Sequence, residues 1–395
     1  MSSAAAEAPR LGAADACVAQ RDFAALKVDR QGLFWVEYNP ADGCNRIVRH
    51  RHGRSQVLTP GGFSVRSRVH EYGGGAWCLA DDRLVFVNDS DQQLWLQPLS
   101  PQAEEGGCPP LRLTATTDTR FGDLLYDPHR RRIIAVAERH GDDGVVNSLV
   151  AVSLGSGRVQ CLARGHDFYS SPCLSPNGRS LAWLTWDHPD QPWTRNRLYC
   201  APLDREGRCL APRLLAGQGN GEALFQPGFD AAGVLHVVSD RSGWWNLYRL
   251  TPGGRWHNVC PLDAEFGVAQ WQLGLSTWVA FGDGCYGCSL VENGEGRLRL
   301  IQPGSAAVAV AEDYRLFRSL CCDEHCLYSV AEAPDRTVSI LAIERQSGEQ
   351  TLIAGGTRPD HRVSLPQPFS CPVGDGERVH GFSTRRPRRR IRRRC

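Results

Sequence analysis

The 395-residue chain reads as an all-β protein, a β-propeller of seven blades. Three observations predict this. An apolar–aromatic–apolar strand recurs along the chain. It recurs in a unit of roughly 40–55 residues, the size of a propeller blade. The composition favours turns and aromatic packing, with 41 Gly and 11 Trp against one Met, and no long stretch keeps a 3.6-residue apolar period.

The recurring strand occurs as GLFWVEYNP from Gly32, RLVFVNDSD from Arg83, RIIAVAERH from Arg132 and SLAWLTWDH from Ser180. Further copies are VLHVVSDRSG from Val234, STWVAFGDG from Ser276 and HCLYSVAEA from His325. After a short turn each is followed by a second strand, such as LWLQPL from Leu94, LYCAPL from Leu198, LYRLTP from Leu247 or, more loosely, CSLVENGEG from Cys288. A Gly-containing turn and one more short apolar strand then follow, as in QVLTP, VQCLA, RLIQP and QTLIA. The innermost strand is legible in FGDLLYDPHR from Phe121, FYSSPCLSPNG from Phe168 and ALFQPGFDAAG from Ala223, each running into a Pro- or Gly-containing turn. A lone four-stranded sheet cannot bury both faces. Radial stacking buries them and leaves only short edges. No inner strand is clear before Gly32 and the last blade closes ambiguously, so six or eight blades stay open.

Charge and termini bound the function classes. Net charge is +2, but eight arginines lie between Arg385 and Arg394, so the rest of the chain is net negative and lacks the basic surface of a nucleic-acid binder. No basic start with an apolar run marks a signal peptide, and no run of about 18 apolar residues marks a membrane helix. A cytoplasmic location with the 16 Cys as free thiols is therefore expected. Cys285 and Cys288, with Cys321, Cys322, His325 and Cys326, have ligand-like spacing. They fall on repeat strands and turns, so no metal site is assigned, and no cofactor is expected. Gly73–Gly75 lacks the Gly-Lys-Ser/Thr ending of a phosphate loop and reads as close backbone packing.

Three segments carry a resemblance: RVHEYGGGAW (Arg68–Trp77), GHDFYSSPCLSPNGRSLAWLTWDHP (Gly165–Pro189) and SDRSGWWNLYRL (Ser239–Leu250). AEFGVAQWQLGLSTW (Ala264–Trp278) fits the same pattern. From about Gly32 to Phe382 the chain resembles the N-terminal propeller of prolyl oligopeptidase-family serine peptidases, of the acylaminoacyl-peptidase and dipeptidyl-aminopeptidase-like kind. The resemblance implies a propeller that precedes an α/β-hydrolase domain, caps its active site and limits access to short peptides. It divides the chain into a flexible N-terminus (1–20), the propeller (21–370), the start of the hydrolase domain (371–383) and an Arg-rich tail (384–395). GERVHGF (Gly376–Phe382) resembles the first hydrolase strand, after which the family pattern breaks. Roughly 250 further residues would complete such a domain. The tail has three readings: a nucleic-acid or nuclear-import patch, a solvated tail, or a shifted reading frame, the last being favoured by the abrupt break.

No Gly-x-Ser-x-Gly elbow occurs, since Gly never stands two residues after Ser55, Ser64, Ser180, Ser276, Ser289 or Ser383. No catalytic residue is therefore assigned, and the chain by itself is expected to be inactive. The site candidates, for substrate or for the domain interface, are Arg68, His70, Glu71 and Tyr72, with Asp240 and Arg241. A Glu at position 71 suits a peptide amine through a charge-assisted hydrogen bond, while Arg68 and Glu71 could instead pair with each other. Trp244 and Trp245 read as inter-blade packing. The expected function is the non-catalytic propeller portion of a peptidase acting on short peptides. Its partners are the hydrolase domain and the peptide, with no membrane. The alternative is a stand-alone propeller that serves as an interaction scaffold.

Overall fold

Each predicted repeat forms one four-stranded antiparallel sheet in the computed structural model, which describes residues 18–99, 109–219, 221–358 and 363–384. Among the described residues there is no helix, and so none long and apolar enough to cross a membrane. Blade 1 holds β1 (Asp22–Asp29), β2 (Gly32–Asn39), β3 (Cys44–Arg51) and β4 (Arg54–Val57). Blade 2 holds β5 (Trp77–Ala80), β6 (Arg83–Val87), β7 (Leu94–Pro98) and β8 (Leu111–Arg112). Blade 3 holds β9 (Thr119–Asp127), β10 (Arg132–Gly141), β11 (Gly144–Ser153) and β12 (Val159–Arg164). Blade 4 holds β13 (Phe168–Leu174), β14 (Ser180–Trp186), β15 (Arg197–Pro202) and β16 (Arg213–Ala216). Blade 5 holds β17 (Leu224–Phe229), β18 (Leu235–Ser239), β19 (Asn246–Leu250) and β20 (Trp256–Asn258). Blade 6 holds β21 (Trp278–Ala280), β22 (Tyr286–Glu292), β23 (Glu295–Ile301) and β24 (Val308–Val310). Blade 7 holds β25 (Leu316–Cys322), β26 (Cys326–Ala333), β27 (Arg336–Glu344) and β28 (Gln350–Gly355). A last hairpin, β29 (Pro366–Pro372) with β30 (Arg378–Thr384), pairs with no blade.

The repeating second strand is the most buried element because it lies between two sheets. Phe34, Trp35, Val85, Phe86, Ile134, Val136, Leu184 and Val237 are at most 1% exposed. Core clusters run between blades. Phe34, Trp77, Phe86, Phe121 and Ile133 join blades 1 to 3, while Phe23, Trp35, Val330 and Ile340 join blades 7 and 1. Burying such side chains contributes about 1.5–3 kcal/mol each.

Seven blades are present, and blade 1 does have an inner strand. DFAALKVD was missed because a β-bulge between Ala24 and Lys27, with Ala25 at φ 52°, breaks its alternation. Blade 6 was read one strand out of step. STWVAFGDG supplies the innermost β21 and not the recurring strand, and the segment at Cys288, expected in the strand after it, lies in β22, the position that the recurring strand holds in the other blades. Every blade is one continuous run of chain, so no strand is shared across the closure. The ring closes by the packing of blades 7 and 1. Ala25 N donates to Ser319 Oγ (3.1 Å), Arg318 Nη2 to Asp22 Oδ1 (2.6 Å) and Arg318 Nη1 to Phe23 O (2.5 Å).

The same bulge recurs around the axis. Asp123 (φ 53°), Ser171 (53°), Gln226 (45°) and Ser319 (56°) sit at bulges in the innermost strands of blades 3, 4, 5 and 7. Bulges of this kind re-aim side chains and leave a free amide, and here several ties bind blade to blade. Ser171 N donates to Asp123 Oδ2 (2.6 Å), and Thr277 N donates to Gln226 Oε1 (2.7 Å).

The up-and-down order within each blade puts the blade-to-blade connections and the second-to-third strand turns on one face, the loop face. The other turns lie on the far face. The connection between β20 and β21 is long and crosses the axis. Glu265 pairs with Val291 of blade 6, Gln270 Nε2 donates to Ser171 Oγ of blade 4 (3.1 Å), and Leu273 N donates to Gly73 O ahead of blade 2 (2.8 Å). A Cβ on Gly74 would lie 2.1 Å from Leu273 O, and one on Gly75 would lie 2.5 Å from Asp123 Cα. The glycine run is thus the seat of a crossing strap, as close backbone packing requires. Beneath it an axial cavity of about 720 Å³ is lined by Lys27, Asp123, Gln226 and Ser319 among others, and by Gly75 and Gly274 at its strap end.

Residue 370, the expected end of the propeller, falls inside β29. Leu365, Pro366 and Phe382 of the hairpin segment line a groove with Asp313, Arg315 and Arg336 of blade 7 and its leading turn. The expected flexible N-terminus lies outside the described residues up to 17, and of the Arg-rich tail only Thr384 is described.

Candidate functional site

The connection from β4 to β5 carries Arg68–Tyr72 onto the loop face. His70 and Glu71 both take left-handed backbone angles, φ 53° and 64°. Two consecutive non-glycine residues in this region are strained, and such strain persists only where the surroundings fix it. Here they do. Arg68 N donates to Gln92 Oε1 (2.7 Å), and His70 N donates to Glu138 Oε2 (2.7 Å). Gly73 N closes the turn onto Val69 O (2.9 Å).

Glu138, at the end of β10, is a buried carboxylate at the centre of this network. It is 4% exposed and accepts from His70 N, from Arg120 Nη1 (3.3 Å) and from His140 Nε2 (2.7 Å). Arg120 then reaches outward, donating to Arg68 O (3.0 Å) and to Glu71 Oε1 (2.6 Å). The Arg120 guanidinium holds the Glu71 carboxyl below the usual carboxylate range. Glu71 is thus an ionised, solvent-facing carboxylate on a rigid turn, with a side chain 76% exposed.

The expected Arg68–Glu71 pair is not made. Arg68 bonds Asp89 through Nε (2.8 Å), and Arg120 takes its place beside Glu71. His70 points inward, edge-on to Phe168 (5.1 Å) and Trp186 (5.7 Å), which stack on each other at 5.2 Å. Burial lowers the pKa of His70, while Glu138 and Asn147 pull the other way. Its Nε2 is buried without a partner, as is Asn147 Oδ1. Tyr72 turns outward, 57% exposed, with its ring 5.4 Å from Trp271 of the strap. Trp271 in turn lies 4.4 Å from Trp193 in the β14–β15 turn.

Asp240 and Arg241 share the loop face but not this cluster. Asp240 Oδ1 accepts from Ala223 N (2.9 Å) and caps the entry to blade 5, and burial raises its pKa. Arg241 pairs with Glu222 (2.5 Å) and lies over the rings of Tyr248 (5.1 Å) and Trp256 (5.5 Å). These bonds tie Asp240 and Arg241 to the framework of blade 5. Trp245 packs against Phe225 (6.0 Å) and under Gly267 of the strap, while Trp244 is 40% exposed.

Sequence reasoning missed Arg120, Glu138, His140, Trp193 and Trp271 as neighbours of the loop. One signal was present. Glu138 and His140 end the RIIAVAERH repeat, which puts them on the loop face, and Trp271 sits inside the quoted Ala264–Trp278 motif. Among the described residues no three His, Cys, Asp or Glu side chains converge to hold a metal. Cys288 is fully buried, and Cys285, Cys321, Cys322 and Cys326 are free, half-buried thiols. Burial pushes the Cys322 thiol up to about 11.

No protein-family model matches the chain, and no curated protein matches it by sequence. Solved structures do. A puromycin hydrolase superposes with a TM-score of 0.85 at 28% identity, over 93% of this chain and 59% of its own. The same kind of enzyme is also known in complex with PGG, with a TM-score of 0.83. A puromycin-hydrolysing peptidase of Mycobacterium tuberculosis gives 0.84 at 27% identity, over 94% and 60%. Prolyl endopeptidases at 15% identity share the fold, with a TM-score of 0.67 over 92% of this chain and 54% of theirs. The chain therefore spans about three fifths of the length of its puromycin-hydrolysing relatives. By fold and by 27–28% identity over more than nine tenths of its length, the chain is similar to these puromycin-hydrolysing peptidases across a propeller that matches about three fifths of their length, and it shares its fold with the prolyl endopeptidases.

Proposed function

We propose that this propeller is the non-catalytic, substrate-gating portion of a serine peptidase that acts on short peptides. Its loop face would stand over the hydrolase active site and hold the peptide by its free amine. The observation that carries this reading is Glu71: an exposed carboxylate, kept ionised by Arg120, on a strained turn fixed by the buried Glu138. A peptide ammonium gains a charge-assisted hydrogen bond from such a group. The strap supports the gating part of the reading, because it crosses the axis at the loop face and obstructs passage along the axis. Similar propellers occur in enzymes that hydrolyse puromycin.

The test is calorimetric titration of the chain with a free-amine tripeptide and its N-acetyl form, repeated with Glu71→Gln. A hydrogen bond to a charged group contributes about 1.5–3 kcal/mol. Acetylation and Glu71→Gln should therefore each weaken binding by about tenfold or more, and the two changes should not add. Equal binding of both peptides would contradict the reading. A fluorophosphonate probe should leave the 395-residue chain unlabelled, and specific labelling of a serine would contradict its non-catalytic part.

A further inference from the structure

Three aromatic side chains meet on the loop face from three separate connections. Tyr72 comes from the β4–β5 loop, Trp271 from the strap and Trp193 from the β14–β15 turn, with ring centroids 5.4 Å and 4.4 Å apart. Tyr72 and Trp271 are 57% and 54% exposed, so the row is not part of the core. It is rigidly mounted. Gln270, next to Trp271, bonds Ser170 (3.2 Å) and Ser171 (3.1 Å), and Leu273 is bridged to Gly74. Thr194 Oγ1 and Arg195 N hold the turn under Trp193 through Gln191 O (3.0 and 3.2 Å). Exposed rings held in fixed geometry offer flat apolar area to a ligand at little cost in side-chain entropy.

The row begins at Tyr72, one residue from the Glu71 carboxylate. We propose that it is a side-chain shelf, and that the ligand of this face is a short peptide with an aromatic side chain in its first two residues. The proposal rests on the amine reading of Glu71 for the peptide's orientation. The carboxylate takes the ammonium, and the Tyr72–Trp271–Trp193 row takes the adjacent ring by edge-to-face or offset stacking. Charge complementarity and a planar apolar surface then select together. An aliphatic first residue keeps only the first contact.

The experiment titrates the full chain with Phe-Gly-Gly, Ala-Gly-Gly and N-acetyl-Phe-Gly-Gly, reading calorimetry and tryptophan fluorescence. Variants are Trp271→Ala, Trp271→Phe and Tyr72→Ala, each checked for unchanged thermal unfolding. Phe-Gly-Gly should bind about tenfold tighter than Ala-Gly-Gly. Trp271→Ala should bring the two within about twofold, and Trp271→Phe should restore most of the difference. Tyr72→Ala keeps the proposal testable if Trp271→Ala disturbs the strap, because Tyr72 is outside it. Equal binding of Phe-Gly-Gly and Ala-Gly-Gly, with acetylation still weakening binding, overturns the shelf and leaves the Glu71 reading standing. An aromatic preference that survives acetylation upholds the shelf and removes the Glu71 reading. Absence of binding by all three peptides overturns both.

Discussion

Asp123 stands at the strap end of the axial cavity, and its replacement by Asn yields a signed, quantitative expectation. The residue is 8% exposed, and burial raises its pKa from 3.8 to about 6, although donors from Ser171 N and Gly274 N pull it back. The folded state then binds more protons than the unfolded state between about pH 4 and 6. Stability is therefore fully present below about pH 4 and falls as pH rises through about 6. A shift of about two units corresponds to roughly 3 kcal/mol at pH 7. Asn has the shape of the protonated acid and carries no charge at any pH. Asp123→Asn should be near neutral at pH 4 and more stable than the parent at pH 7.5, the difference between the two comparisons approaching about 3 kcal/mol. Urea unfolding of both proteins at both pH values measures it, and other titrating groups cancel in the double difference. A stability difference that does not change with pH, or a gain confined to pH 4, would show that burial does not raise the Asp123 pKa.

Two further substitutions probe the framework of the face. Glu138→Gln takes the charge from the buried carboxylate that accepts from His70 N, Arg120 and His140, while Arg120 keeps its ion pair with Glu71; losing hydrogen bonds to a charged group costs about 1.5–3 kcal/mol, and denaturant unfolding should show this loss together with weakened binding of free-amine peptides. Arg318→Ala removes the bonds to Phe23 O and Asp22 Oδ1 that tie blade 7 to blade 1. It should cost about 1–3 kcal/mol and raise hydrogen exchange first in β1 and β25, whereas uniform exchange changes across all blades would argue against a local closure.

The fold was legible because the propeller repeats one physical problem seven times. Each second strand must bury both faces between sheets, so GLFWV, RLVFV, RIIAV and SLAWL announce themselves by composition alone. What escaped was where the backbone departs from alternation. The bulge at Ala25 hid β1, and the short β21 shifted the reading of blade 6 by one strand. The candidate site was half legible. Glu71 and Tyr72 lie in a dense local motif, but the groups that give them their properties come from elsewhere in the chain. Arg120 and Glu138 arrive from blade 3, and Trp271 arrives on a strap that crosses the axis. Arg241, by contrast, looked available in the sequence and is committed to Glu222 and two aromatic rings.

On the function proposed above, the peptide meets the propeller on the loop face, at Arg68–Tyr72 and the strap. Hydrogen exchange of the chain with and without saturating Phe-Gly-Gly tests it most directly. Slowed exchange is expected in residues 68–75 and 265–275, with no change in the far-face turns. Protection confined to the far-face turns, or binding that leaves 68–75 and 265–275 unprotected, would contradict it.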